Sequence, residues 1–192
     1  AYVCQGISEV AGCLDTFSYW TVSDIFQESG YPFSEFHGGF GLLTVHGVRK
    51  PSWHAFSLLR RLGTERLEAT AVNAPAGAGA LATRTDGGVQ LLLWHFAQPP
   101  VEASAEPVTA TIPLPNGDYR LTERAIDADH GNPLALWEEM GKPDRPTADQ
   151  LAALHAVEPG RAGRAVTVAG GQFDYTMTLQ PGMVRMIELD AL

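Results

Sequence analysis

Apolar positions recur at helical spacing near the start of the chain and again around residue 50, then at strand spacing from residue 67 to the end. Val3, Ile7 and Val10 fall on one side of a helix over residues 2–10, and Gly12 breaks it. Phe17, Tyr19, Thr21 and Val22 favour extended backbone and predict a buried strand. That strand halts at Ser23-Asp24, where short polar side chains turn the chain. The clearest helix spans Pro51 to Leu62, with proline in its first turn, Trp53, Phe56, Leu59 and Leu62 on one face, and Gly63 beyond its end.

From Leu67 the period becomes two. Phe173, Tyr175, Met177 and Leu179 alternate with Gln172, Asp174, Thr176 and Thr178, as in a half-buried antiparallel strand. Val89 to Phe96 is apolar on both faces and is predicted to be central. Met183 to Leu189 is predicted to pair with the strand before it. Asp86-Gly87, Asn116-Gly117, Gly170-Gly171 and Pro181-Gly182 supply hairpin or turn signals. Two short helices interrupt the strands. Asn132-Pro133 opens one that ends at Gly141, and Thr147 with Gln150 forms a capping box for the other, ending before Pro159-Gly160. Ala74 to Ala80 is small-residue and low in complexity and reads as a loop. The pattern is α/β at the start and all-β afterwards.

Composition narrows the function classes. The chain has 192 residues, 45% hydrophobic and 18% charged, a globular composition large enough for one domain and some extra elements. A net charge of −9 with no basic stripe argues against a nucleic-acid surface, the sole local basic cluster being Arg60, Arg61 and Arg66. No run approaches the ~20 apolar residues of a membrane span. Cys4 and Cys13 are too few for a disulfide framework or metal site and read as small buried apolar residues. The start of the chain lacks the basic flank of a signal peptide, which leaves the compartment open.

Candidate chemistry concentrates in residues 17–43. Aromatics, carboxylates and amides there (Gln27, Glu28, Tyr31, Phe33, Glu35, Phe36) precede the glycine cluster Gly38-Gly39-Phe40-Gly41. A sugar needs this combination: an apolar face for the ring and polar acceptors for the hydroxyls. A buried aromatic strand followed by an irregular loop accounts for the same composition. The glycines lack the lysine and the strand-to-helix order of a phosphate loop and read as permitting a tight backbone path. Asp24 reads as a structural acceptor for loop backbone donors.

A resemblance adds to this reading. SYWTVSDIFQE, then FHGGFGLL, then RKPSWHAFSLLRRLG, is similar to the last barrel strand, loop and helix of glycoside hydrolase family 39, the retaining β-xylosidase family. Downstream, RAIDADHGNPLALWEEMGKPDRPTADQLAAL resembles that family's C-terminal β-sandwich, with Ile126, Asp127, Asn132, Trp137, Gly141, Pro143 and Pro146 at matching positions. The resemblance implies the C-terminal end of a (β/α)8 TIM barrel over residues 1–63, then an antiparallel β-sandwich with two short inserted helices over residues 64–192. A complete barrel needs about 250 residues.

The resemblance also implies roles. Trp20 would form part of the wall or floor of a sugar subsite, with a non-proline cis peptide at Trp20-Thr21. Glu28, Gln27 and Phe33 are the further substrate-binding candidates; Gln27 stands where the family usually has a second glutamate. The family's catalytic carboxylates lie after barrel strand four and on strand seven, so none is expected in this chain, which by itself is expected to be inactive. The implied partners are a xylose-containing oligosaccharide in the intact enzyme, and the missing barrel part or self-association for this chain. No cofactor is implied. Glu28 and Glu35 as a catalytic pair are disfavoured by this placement, although their spacing permits either the ~5 Å or the ~6.5–9.5 Å separation that glycosidases use.

Two further chemistries find little support. The six histidines show no HxxxH or HExxH spacing, and Asp127, Asp129 and Glu138 lack the glycine of a calcium loop, Asn132 standing in its place. The competing class is a non-catalytic carbohydrate-binding or assembly module. Such a module should expose a row of aromatics on one sheet face, whereas Trp94, Trp137, Tyr119 and Tyr175 sit in apolar segments that read as buried.

Overall fold

The structure, a computed structural model, describes residues 1–25, 30, 32–72, 74–97 and 104–192. Helix α1 (Tyr2–Val10) and helix α2 (Pro51–Leu59) come first. Among the described residues nine strands follow: β1 (Glu65–Leu67), β2 (Thr70–Val72), β3 (Ala78–Thr85), β4 (Gly88–His95), β5 (Glu106–Pro113), β6 (Gly117–Ile126), β7 (Gly160–Val168), β8 (Gln172–Leu179) and β9 (Val184–Ala191). Two short helices, α3 (Pro133–Glu139) and α4 (Ala148–His155), lie between β6 and β7. The strands form a six-stranded sheet, β1-β3-β4-β9-β6-β7, and a three-stranded sheet, β2-β5-β8, with every pairing antiparallel.

The six-stranded sheet is covered on both faces. Leu91, Leu93, Leu121, Ile187 and Leu189 meet Val108, Ile112 and Leu179 of the smaller sheet to form the sandwich core. On the opposite face Leu92, Trp94, Met186 and Val184 pack against Val3 and Cys4 of α1 and Ala55 and Leu58 of α2. That double cover is why β4 carries consecutive apolar residues rather than an alternation. Polar ties orient the helices. Trp94 Nε1 donates to Gln5 Oε1 at 2.7 Å, and Glu188 receives Arg61 Nε on one oxygen and Arg124 Nε on the other, at 2.7 and 2.8 Å.

Several local expectations need correction. Residues 17–22 are extended but not a strand: only short parallel contacts join Thr21 and Val22 to Leu42 and Leu43, and Phe17, Trp20 and Val22 are exposed rather than buried. Among the described residues no strand runs beside this segment on its other side, so it has no ladder to complete. Residues 183–189 do not pair with β8. The turn at Pro181-Gly182 carries the chain across the sandwich, and β9 inserts between β4 and β6. Asn116-Gly117 and Gly170-Gly171 are likewise crossovers between sheets, leaving Asp86-Gly87 as the hairpin of the four.

The small-residue stretch is only partly a loop, since Ala78-Gly79-Ala80 begins β3. Gly79 is opposite Trp94, and a Cβ there would come within 2.3 Å of the indole. Helix α2 ends at Leu59, with a turn after it, rather than at Leu62. Cys4 is buried, and burial pushes its thiol up to about 11, but Cys13 is exposed in the turn after α1.

His54 on α2 is almost fully enclosed, and loss of hydration holds its pKa below the ordinary histidine value. In the unfolded chain this imidazole takes a proton near pH 6.5, whereas the folded chain resists it. The unfolded state therefore binds more protons below that value, and stability falls as pH drops through about 6.5. Melting temperatures between pH 5 and 8 should show this slope in the parent and a shallower one in His54→Gln. Parallel slopes would mean that other groups control it.

Candidate functional site

The extended segment before residue 25 alternates its side chains between two environments. Tyr19 turns inward, its ring edge-on to Phe56 of α2 with centroids 5.5 Å apart, and its hydroxyl donates to the Phe40 carbonyl at 3.0 Å. Burial pushes its phenol above the ordinary value. Trp20, next in line, faces outward and is 68% exposed, and the Trp20-Thr21 peptide is cis. Phe33 is 77% exposed. Gln27 and Glu28 lie outside the described residues.

Asp24 is the hub beneath this surface. It is 1% exposed, and its Oδ1 accepts the Gly41 backbone N–H at 2.8 Å. Its Oδ2 forms an ion pair with Lys50, whose Nζ lies 2.6 Å away, and His37 Nε2 stands 3.5 Å from it. Lys50, just ahead of α2, also donates to the Gly39 carbonyl at 2.8 Å. One carboxylate thus ties the end of the extended segment to residues 37–41 and to the start of α2. The glycines make that possible. A Cβ at Gly41 would sit 2.4 Å from backbone atoms of Ser23 and Asp24, and one at Gly39 2.7 Å from Asp24 Oδ1.

Glu35 is also enclosed, its Oε1 paired with His46 Nδ1. A fully buried carboxylate capped by a half-exposed histidine is placed to hold the loop rather than to attack a sugar. Phe36 packs on Trp137 of α3. Ile25, Phe33, Val45 and His46 face Arg145 and Pro146 across an open groove of about 460 Å³. Among the described residues no three His, Cys, Asp or Glu side chains gather as a metal site.

Trp20 and Phe33 are therefore on the surface, at the loop that Asp24 and Glu35 anchor from below. Lys50, His46 and Trp137 were not singled out from sequence as parts of this site. A lysine directly before the helix-opening proline is the one local signal that could have raised Lys50.

Known proteins are similar to this chain over nearly its whole length. The profile of Glycosyl hydrolases family 39 matches residues 1–172. A β-xylosidase of Geobacillus stearothermophilus is 30% identical over 190 residues, 99% of this chain and 36% of that protein. Among solved structures, a monomeric β-xylosidase from Caulobacter crescentus CB15 aligns with a TM-score of 0.79 at 28% identity, covering 100% of this chain and 41% of that one. The family 39 enzyme from Xanthomonas axonopodis pv. citri aligns with a TM-score of 0.80 at 28% identity, covering 100% and 40%. The chain spans somewhat over a third of the length of these relatives. With a family match across most of its residues and the same fold from end to end, the chain belongs to glycosyl hydrolase family 39.

Proposed function

We propose that this chain is the C-terminal portion of a retaining β-xylosidase-like glycoside hydrolase that cleaves xylo-oligosaccharides. Residues 1–63 complete a (β/α)8 barrel and residues 64–192 form the sandwich that braces it. The observation that carries this reading is where the exposed apolar surface lies. Leu14, Phe17, Trp20, Val22, Ile25 and Phe33 are all exposed in one stretch of the sequence, whereas among the described residues 64–192 the exposed large apolar side chains are Leu134 and Leu192. Such a concentration marks a surface made to be covered. The remaining barrel strands, or failing them a second copy of the chain, would cover it.

On this reading Trp20, Phe33, Glu28 and Gln27 supply substrate wall and hydroxyl contacts, and the bond-making carboxylates belong to the rest of the barrel. There a glutamate forms a covalent glycosyl intermediate that water resolves, the second carboxylate acting first as acid and then as base. No cofactor enters this chemistry. A stand-alone carbohydrate-binding sandwich is not favoured, because Trp94, Trp137, Tyr119 and Tyr175 are all buried and offer no stacking platform.

The reading is tested by hydrolysis of an aryl β-xyloside by this chain and by the polypeptide extended upstream through the barrel. Turnover by the extended form alone is the expected result; turnover by the 192-residue chain would place the chemistry within it.

A further inference from the structure

We infer that the helical insertion between β6 and β7 is a positioning element for residues 32–49, with Trp137 as its anchor acting through Phe36. The inference rests on the hydrolase reading above. Pairing of β6 with β7 continues to Ala125 opposite Gly160, so the sheet is complete without the insertion. Residues 127–159 are an excursion with apolar side chains of their own to bury.

Those side chains do not join the sandwich core. Trp137 and Leu154 are buried in a separate cluster with Leu136, Met140 and Leu151, and the residues recruited from elsewhere are Val48 and Phe36. Among the described residues no strand residue takes part. Val48 is fully enclosed, and the Phe36 and Trp137 rings meet at 5.5 Å and 55°, a favourable tilted contact. The hydrophobic face of the insertion is thus spent on the loop. Trp137 is itself held in place, since its Nε1 donates to the Pro143 carbonyl at 3.2 Å. The connection that follows carries Arg145 and Pro146 to the groove opposite Phe33 and His46. Arg49 and Glu158 add an ion pair at 2.5 Å between loop and insertion, about half exposed on both sides and so worth little energetically.

Glu35 lies beside Phe36 and is enclosed against His46, so the inner side of the loop is gripped while Phe33 faces out. Trp137 is a positioning residue: it fixes the segment that presents Phe33. Loosening that loop weakens binding of substrate and transition state together, an effect that appears in KM.

The test uses two readouts. In the polypeptide that includes the rest of the barrel, Trp137→Ala is expected to raise KM for an aryl β-xyloside about tenfold with kcat changed less than about twofold. Trp137→Phe, which keeps a ring against Phe36, should restore KM. A lowered melting temperature with KM unchanged would overturn the inference, because a merely structural role predicts that pattern. In the 192-residue chain, where no activity is needed, chymotryptic cleavage after Phe33 or Phe36 should accelerate about tenfold in Trp137→Ala and return to the parent rate in Trp137→Phe. Unchanged cleavage would overturn the brace. Accelerated cleavage alongside an inactive extended polypeptide would support the brace and overturn the hydrolase reading instead.

Discussion

Truncation of Trp20 to alanine, in the polypeptide that carries the rest of the barrel, is expected to lower kcat/KM on an aryl β-xyloside by about 30- to 100-fold. That corresponds to about 2–3 kcal/mol, the range for a large aromatic that anchors a ligand in an enclosed pocket. On the proposed reading its outward direction leaves the ring available for this role. Its neighbour Tyr19 is consumed by contacts with Phe56 and the Phe40 carbonyl, while Trp20 stands outward and mostly exposed. Little packing within this chain depends on it, so the melting temperature of the 192-residue chain should change by no more than a degree or two. Trp20→Phe should recover part of the loss by keeping an apolar ring face. An extended enzyme in which Trp20→Ala lowers stability but leaves kcat/KM intact would assign the ring to barrel packing.

Asp24→Ala should produce the largest stability effect among the residues around the loop. Removing one member of a buried ion pair leaves the other uncompensated, at a cost of about 3–5 kcal/mol. Here Lys50 would be left largely enclosed beside the Gly39 carbonyl, and the Gly41 N–H would lose its acceptor. The damage should be local. The Leu42 and Leu43 amides, which donate to the Thr21 and Val22 carbonyls, should lose hydrogen-exchange protection, while β4 and β9 keep theirs. Replacing both partners, as in Asp24→Leu with Lys50→Met, should cost less than Asp24→Ala alone. Equal losses in the single and double variants would show that the pair does not hold the loop.

The helices were legible because their signals are local. Proline at the start of α2, the Thr147–Gln150 capping box and the apolar spacing of α1 each act within a few residues. The face of β8 was legible for the same reason, since alternation is a property of one strand. Strand partners were not. A Gly-containing turn looks alike whether it closes a hairpin or carries the chain to the other sheet, and Pro181-Gly182 does the latter. Residues 17–22 failed differently. Their composition suits a strand, but a strand exists only where neighbours complete its ladder, and the described residues offer only Leu42 and Leu43.

Within the site, the structural role of Asp24 followed from its being a short acceptor at the end of the extended segment, and the tight path of the glycines followed from their lack of a Cβ. Lys50 as its partner did not, because an ion pair across this separation leaves no periodic trace. The same holds for Glu35 with His46 and for Phe36 with Trp137, contacts that only the folded chain brings together.

The central claim, that this chain provides pocket wall and scaffold while bond-making groups lie elsewhere in the enzyme, is tested most directly by covalent trapping. An aryl 2-deoxy-2-fluoro-β-xyloside slows breakdown of the glycosyl intermediate of a retaining enzyme, and peptide mapping by mass spectrometry then locates the label. In the extended polypeptide the label should fall on a glutamate outside residues 1–192; a label on Glu28 or Glu35 would contradict the account and move the nucleophile into the loop.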